Sequence, residues 1–269
     1  MNMFIINNEI FIRLSFFFAI FMLLAVWETA TPRRTLTTSK RNRWTINISI
    51  TLINTLLVRL IFPMAAVGTA FIAKENSWGI FNILSLNNSI FEVIAILMLD
   101  LTIYLQHALF HHAPVFWRIH KIHHTDLDVD ITTGTRFHPV EIILSMIIKM
   151  IMVVIIGASV FSVIVFEILL NGTSMFNHSN ISISPKIDRI LRLFVVTPDM
   201  HRVHHSVIIR ETNSNFGFNF PWWDRIFRTY KNQPEAGHTN MTIGLSNFRD
   251  ARRLTLPYIL ALPLFAEKR

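Results

Sequence analysis

Long apolar runs separated by short polar segments dominate the first two thirds of the chain. They cover residues 10–27, 45–73, 89–111 and 140–176. An α-helix rises about 1.5 Å per residue, so about 18 apolar residues are enough to cross the hydrocarbon part of a bilayer. The first three runs predict one membrane-spanning helix each. The fourth predicts two short helices that turn near Gly157, which gives four to five spans.

Charged and helix-breaking residues within these runs refine the prediction. The first run carries Arg13 and ends at Trp27-Glu28, which does not resemble a signal-peptide cleavage site, so we predict a retained helix. Pro63 predicts a kink in the second run. Arg59 is costly in lipid and is therefore expected to face other helices or to reach an interface.

The composition agrees with a polytopic membrane protein. Of the 269 residues 52% are apolar, 23 are phenylalanine, and the mean hydropathy is +0.44. The chain has no cysteine, which excludes disulfides, thiolate metal sites and cysteine nucleophiles. Any metal site must therefore use nitrogen and oxygen ligands.

We interpret the net charge of +8 as a sign of basic loops on one side of a membrane rather than of nucleic-acid binding. Five basic residues and no acid follow the first span, at positions Arg33, Arg34, Lys40, Arg41 and Arg43. Basic residues beside a span favour the cytoplasmic side of a membrane. This places the N-terminus outside and the polar segments that follow the third span inside.

The last third of the chain is polar from about residue 183 to residue 252, which predicts a cytoplasmic lobe. Residues 254–265 are apolar, but they are too few and too proline-broken to span a bilayer. We expect them to lie on the membrane or to pack on the lobe. The polar run that begins at Thr125 and ends at Pro139 is expected to form a loop over the site described next.

Histidines recur at helical spacing at the predicted cytoplasmic ends of the spans. They form the pair His107 and His111, the triplet His120, His123 and His124, and the triplet His201, His204 and His205. Side chains three and four positions apart share one helix face. Neutral imidazole is the commonest metal ligand in proteins. Eight imidazoles exceed the needs of one four-coordinate zinc and suit two metals of higher coordination number, and His178 is predicted on the same side.

Asp100 lies on the same predicted helix face as Tyr104, His107 and His111. A carboxylate inside a span needs a partner. Two interpretations stay open: a hydrogen bond to a ligating imidazole, or a structural contact between helices. His112 is one position off this face and is predicted to be solvated, with a spare ligand as the alternative.

The segments HALFHH, WRIHKIHHTD, TTGTRFHPVE, FNHSN and TPDMHRVHHS resemble the fatty acid hydroxylase superfamily, in its bacterial sterol-desaturase-like branch. The resemblance covers roughly residues 95–232 and includes the histidine boxes HxxxH, HxxHH and HxxHH. It implies a non-haem di-iron site. The ligands that it implies are His107, His111, His120, His123, His124, His178, His201, His204 and His205. Asp100, His138 and Asp199 are candidates for groups that contact ligands, and for His138 a ligand role is open as well.

The resemblance implies an all-α fold: a polytopic membrane helical bundle with a cytoplasmic helical cap that holds a dinuclear metal site. Residues 1–94 would form an N-terminal transmembrane region, residues 95–232 the catalytic domain, and residues 233–269 a C-terminal tail, for which association with the membrane is one of the two expected placements. The expected location is the bacterial inner membrane.

The implied activity is O2-dependent hydroxylation or desaturation of a fatty acyl or sterol-like lipid. The sequence contains no haem-attachment CxxCH and no GxGxxG, so a separate reductase or ferredoxin-like electron donor is expected. No nucleic-acid partner is expected. Two alternatives stay open: a dinuclear zinc or manganese lipid hydrolase, and a non-enzymatic metal-binding membrane protein.

Overall fold

The computed structural model describes residues 8–86 and 88–265, and within them the chain is helical, with two isolated β-bridges and no sheet. The first half contains α1 (Glu9–Ala30), α2 (Lys40–Ile61), α3 (Ala65–Glu75), α4 (Ile80–Ile83) and α5 (Ser89–His112). The middle contains α6 (Pro114–His124), a 3-10 turn (Thr133–Thr135), α7 (Pro139–Ile156) and α8 (Val160–His178). The last third contains α9 (Pro185–Leu191), α10 (Pro198–His204), α11 (Ile209–Thr212), α12 (Trp222–Ile226), α13 (Gly237–Asn240), α14 (Leu256–Ala261) and a 3-10 turn (Leu262–Leu264).

Five stretches are long and apolar enough to cross a membrane, which confirms the predicted multi-span helical bundle. Four are the single helices α1, α5, α7 and α8, and the fifth runs from Lys40 to Ile83. In that fifth stretch α2 ends just before Pro63 and α3 begins just after it, so the predicted kink is a helix break. Asn54 bonds the carbonyl of Phe137 at the start of α7, and Gly79 lies against Gly157 at its end. Together α2 and α3 therefore follow the full length of α7.

The turn between α7 and α8 lies where the sequence predicted it. Gly157 ends α7 with φ +74°, a left-handed conformation that glycine adopts without steric cost. A Cβ on Gly157 would also meet the backbone nitrogen of Asn82 at 3.0 Å. The side chain of Ser159 then accepts a hydrogen bond from the amide of Ser162 and caps α8.

Helix α5 stops because Pro114 follows it, and Pro114 then occupies the first position of α6. The predicted stripe on α5 is the buried one: Asp100, Tyr104, His107 and His111 all face the protein interior. His112, at the end of the helix, is exposed.

The polar loop between α6 and α7 is buried, whereas a loop over the site was expected. Its carboxylates surround Arg43 near the start of α2, with Arg43 Nε 2.6 Å from Asp126 Oδ1 and Arg43 Nη1 2.6 Å from Asp130 Oδ2. Burial by itself would raise the pKa of Asp126, but the neighbouring Arg43 brings that pKa down to about 2. The loop is thus an ion-paired core element that fixes the ends of α6 and α7.

The first half of α2 and the C-terminal segment complete the lobe. Ile50, Ile122, Leu254, Ile259 and Leu262 form one apolar cluster. Of the two placements expected for residues 254–265, the structure shows packing on the lobe.

Replacing Arg43 by methionine removes the only guanidinium that bridges Asp126 and Asp130 among the described residues. Two buried carboxylates then lose the cation that contacts both of them directly, and we expect a destabilisation of about 3–5 kcal/mol. Thermal unfolding of the protein in detergent measures this change. The control is Arg41→Met, which removes an exposed charge from the same turn of α2. Equal unfolding temperatures for the two variants would contradict the role given to the ion pairs.

Candidate metal centre

Four helices bring nine histidines together at one end of the bundle. The end of α5, helix α6, the end of α8 and helix α10 supply them, and every one of these side chains is at most 5% exposed. Their ring nitrogens form two groups, each within 4.8 Å. The first group is His107, His111, His120, His124 and His204, and the second is His123, His178, His201 and His205.

Carbonyl acceptors determine which nitrogen of several rings faces the centre. His107 Nδ1 lies 2.7 Å from the carbonyl oxygen of Phe216, His178 Nδ1 lies 2.7 Å from that of Ser174, and His204 Nδ1 lies 2.8 Å from that of Ser214. Because a carbonyl only accepts, Nδ1 carries the proton in each ring. The lone pair is therefore on Nε2, the nitrogen that points into the group.

Distances between the facing nitrogens fit a metal ion in each group. His111 Nε2 and His124 Nε2 are 3.2 Å apart, and His178 Nε2 is 3.1 Å from the Nε2 atoms of both His123 and His201. A metal about 2.1 Å from two nitrogens at a right angle places them about 3.0 Å apart. His178 Nε2 has no proton to donate to either neighbour. A shared cation satisfies all three nitrogens.

Several buried ring nitrogens have no hydrogen-bond partner among the described residues, which is costly without a metal. They include Nε2 of His107, His120 and His204, and both nitrogens of His205. In the donor set of the two groups every ligand atom is an imidazole nitrogen. Such a set suits iron, zinc, copper or nickel.

Five of the clustered histidines that lie outside the spans are held neutral. Burial lowers the pKa of His204 to about 3. Burial, followed by the neighbouring imidazoles, also lowers the pKa values of His123, His124, His201 and His205 well below the ordinary range. Only the neutral ring has a lone pair, so protons do not compete with a metal near neutral pH.

Two residues that support the imidazoles were not singled out as such by the sequence analysis. Glu141, in the first turn of α7, places Oε1 2.6 Å from His120 Nδ1. Asn213 places its side-chain oxygen 3.3 Å from His111 Nδ1. In the sequence Glu141 is only a charge within an apolar run, although it directly follows the FHPV segment. Asn213 carries no sequence signal of its own.

The other three candidate residues make their contacts elsewhere. The carboxylate of Asp100 accepts a hydrogen bond from Trp223 Nε1 at 2.8 Å. This contact joins Asp100 to another element of the fold, which favours the structural interpretation over a hydrogen bond to an imidazole. His138 caps α7 through the amide of Val140, and its Nε2 lies 3.2 Å from the carbonyl oxygen of Leu260. Asp199 pairs with Arg33, Arg202 and His238.

Three comparisons place the chain among known proteins. The model of the family described as "Fatty acid hydroxylase" matches residues 92–229, which is just over half of the chain. Ornithine lipid hydroxylase OlsE of Rhizobium tropici is 26% identical over 151 residues, covering 56% of this chain and 45% of that protein. Alkylglycerol monooxygenase of Homo sapiens is 27% identical over 158 residues, covering 57% and 34%. The Caenorhabditis elegans alkylglycerol monooxygenase is 26% identical over 197 residues, covering 71% and 37%.

The chain thus spans less than half of the length of these curated relatives. No solved structure gives a significant match. The family match contains every one of the nine clustered histidines. The chain belongs to the fatty acid hydroxylase family.

Proposed function

We propose that this protein is a membrane-embedded di-iron oxygenase that uses O2 to hydroxylate a lipid. The observation that carries the proposal is the pair of adjacent, buried groups of imidazoles at one end of the membrane helices. In this proposal the five histidines of the first group bind one iron and the four of the second group bind the other. Iron bound there supplies the redox chemistry that activates O2 towards an unactivated C–H bond.

The chain's own residues hold and orient the ligands. Glu141 and the carbonyl oxygens of Phe216 and Ser214 accept from Nδ1 atoms and keep each ring in one tautomer and one orientation. Phe137 stacks on His123 with ring centroids 4.5 Å apart, and Phe218 lies 5.1 Å from His107. These aromatic rings keep water away from the centre, which favours oxidation of the bound lipid over side reactions.

A hydrolytic function is less well supported. Dinuclear hydrolases commonly bridge their metals with carboxylates, and neither histidine group in the described part of the chain contains one. The carboxylate of Glu141 does contact a histidine of the first group. It contacts Nδ1 of His120, however, which is the ring nitrogen that faces away from the other histidines. The lack of a bridging carboxylate in both described groups therefore counts against a hydrolytic pair.

The relatives support a lipid substrate and favour hydroxylation over desaturation. Their names describe an ornithine lipid hydroxylase and an alkylglycerol monooxygenase. The histidine end of the bundle meets the membrane surface, so a lipid chain can approach from the bilayer. Electrons come from a separate reductase or ferredoxin-like donor.

We place the histidine end on the cytoplasmic side of the membrane. Exposed basic residues flank this end, among them Arg41, Arg118, Arg210 and Arg252. Arg43 is not counted among these exposed residues, because its guanidinium is buried in the lobe and pairs with Asp126. The exposed basic residues alone therefore support the cytoplasmic assignment.

The direct test is oxygen incorporation into lipid. Cells that express the protein, and cells that express the His123→Ala variant, are grown under ¹⁸O2, and their lipid extracts are compared by mass spectrometry. We expect lipids with one added ¹⁸O atom only in the first sample. Identical extracts from both cultures would contradict the oxygenase assignment, provided that the purified wild-type protein contains iron.

Metal content tests the ligand assignment. Protein purified in detergent after expression with iron should contain about two iron atoms per chain, with the Mössbauer spectrum of a coupled pair. His123→Ala removes a ligand of the second group, so it should lower the iron content while membrane insertion is retained. Full iron content in this variant would refute the assignment. Two zinc ions that support a hydrolytic activity in the wild type would favour the hydrolase.

The Glu141 carboxylate is expected to tune the centre through His120. Glu141→Ala should weaken iron binding by about 10–100-fold, measured by competition with a chelator. Glu141→Gln retains an oxygen that can accept from His120 Nδ1 and should restore part of this affinity. Asp100→Asn is the control: Asp100 bonds Trp223, so this variant should keep the wild-type iron content. Loss of iron from Asp100→Asn alone would reverse the roles given to the two acids.

A further inference from the structure

A second polar cluster lies inside the membrane-spanning bundle, away from the histidines. It consists of Glu9, Arg13, Arg59, Lys149 and Glu167, which come from four different spans, and we call it the intramembrane charge cluster. Lys149 Nζ lies 2.7 Å from Glu167 Oε1, and Arg13 Nη2 lies 3.0 Å from Glu167 Oε2. Arg13 Nη1 also lies 3.1 Å from Glu9 Oε2. The isolated charges of four apolar helices thus meet at one place.

The cluster lies deep in the bundle. From Val160 to Glu167 is about 10 Å of helix, and from Glu167 to His178 about 16 Å. Helices α3, α7 and α8 continue beyond this level and pack together there. The cluster therefore lies nearer to the end of the bundle opposite the histidines.

One side of the cluster opens towards lipid. The side chain of Glu167 is 3% exposed, but those of Arg13 and Arg59 are 24% and 35% exposed. The apolar side chains next to them on the same helices, Ile10 and Leu60, are exposed as well. A surface of this kind faces lipid chains rather than bulk water.

The cluster is incompletely neutralised. It contains three basic and two acidic side chains, so one positive charge is in excess. Arg59 Nη1 lies 3.8 Å from Glu9 Oε1, which is too long for a hydrogen bond. Among the described residues, no acidic side chain outside the cluster forms an ion pair with any of its five members. An excess cation next to lipid is costly unless an anion accompanies it.

We propose that the intramembrane charge cluster binds the phosphate of an anionic phospholipid from the leaflet opposite the histidine centre. The two exposed guanidiniums are the donors. Guanidinium groups bind phosphate oxygens through paired N–H bonds. The long, partly exposed side chains of Arg13 and Arg59 can extend towards the headgroup region of that leaflet, while the chains of the lipid pack on the apolar surface around Ile10 and Leu60. Basic pockets between spans are established recognition sites for lipid headgroups in membrane proteins.

Native mass spectrometry of the delipidated full-length protein tests this site. The probes are dioleoylphosphatidylglycerol, dioleoylphosphatidylcholine and inorganic phosphate. We expect the wild type to bind one phosphatidylglycerol more tightly than the other two probes. Arg59→Gln should weaken that binding by about fivefold. Arg41→Gln removes the same charge from the other end of α2 and should leave this tight binding unchanged.

The Glu9→Gln variant is expected to change the affinity for phosphatidylglycerol in the opposite direction to Arg59→Gln. Damage to the fold would not strengthen binding, so this variant separates a lost binding group from a damaged fold. It raises the excess from one positive charge to two, so phosphatidylglycerol should bind more tightly than to the wild type. Equal affinities for the two lipids would overturn the proposal, as would weaker binding by Glu9→Gln. Inorganic phosphate that binds as tightly as the lipid would overturn the assignment to a lipid headgroup. None of these readouts requires iron or enzymatic activity.

Discussion

The need to keep nine imidazoles buried and facing one another is the constraint on which the rest of the structure depends. Each ring loses hydration, and only a metal or a hydrogen bond can replace it. Carbonyl and carboxylate acceptors satisfy the outer nitrogens of some rings, as Phe216 does for His107 and Glu141 for His120. The inner nitrogens face one another at distances that suit bound cations. Two of the acceptors, the carbonyl oxygens of Ser214 and Phe216, lie in the loop between α11 and α12.

The loop between α6 and α7 shows how the lobe keeps this arrangement rigid. It carries three aspartates, and the N-terminal part of the chain neutralises them: Arg43 contacts Asp126 and Asp130, and the Thr37 and Thr38 amides donate to Asp128. Paired and hydrogen-bonded charges of this kind tolerate burial. The segment that follows the first span therefore has two roles: it lies beside the membrane, and its contacts hold the loop between α6 and α7 in place.

Charged groups at the histidine end and charged groups within the spans meet different requirements. At the histidine end most acids lie inside the lobe and many basic residues are exposed, which suits a membrane–water interface. In the intramembrane charge cluster, acids and bases from separate spans pair because the hydrocarbon part of the bilayer offers them no other partner. The same pairing ties α1 to α8 and brings Glu9 of α1 to 3.8 Å from Arg59 of α2.

Local patterns in the sequence determined the spans, the turn at Gly157, the break at Pro114 and eight of the nine clustered histidines, whereas only the family resemblance indicates His178 as a ligand. These features depend on hydrophobic length, on glycine and proline geometry and on three- and four-residue spacing, all of which act within one segment. Only the tertiary structure decided that Glu141 supports His120, that Asp100 bonds Trp223 and that Arg43 lies among buried aspartates. Those contacts join residues far apart in the chain, and the physical reason is that a buried polar group takes whichever partner the packing of other elements brings within hydrogen-bond distance.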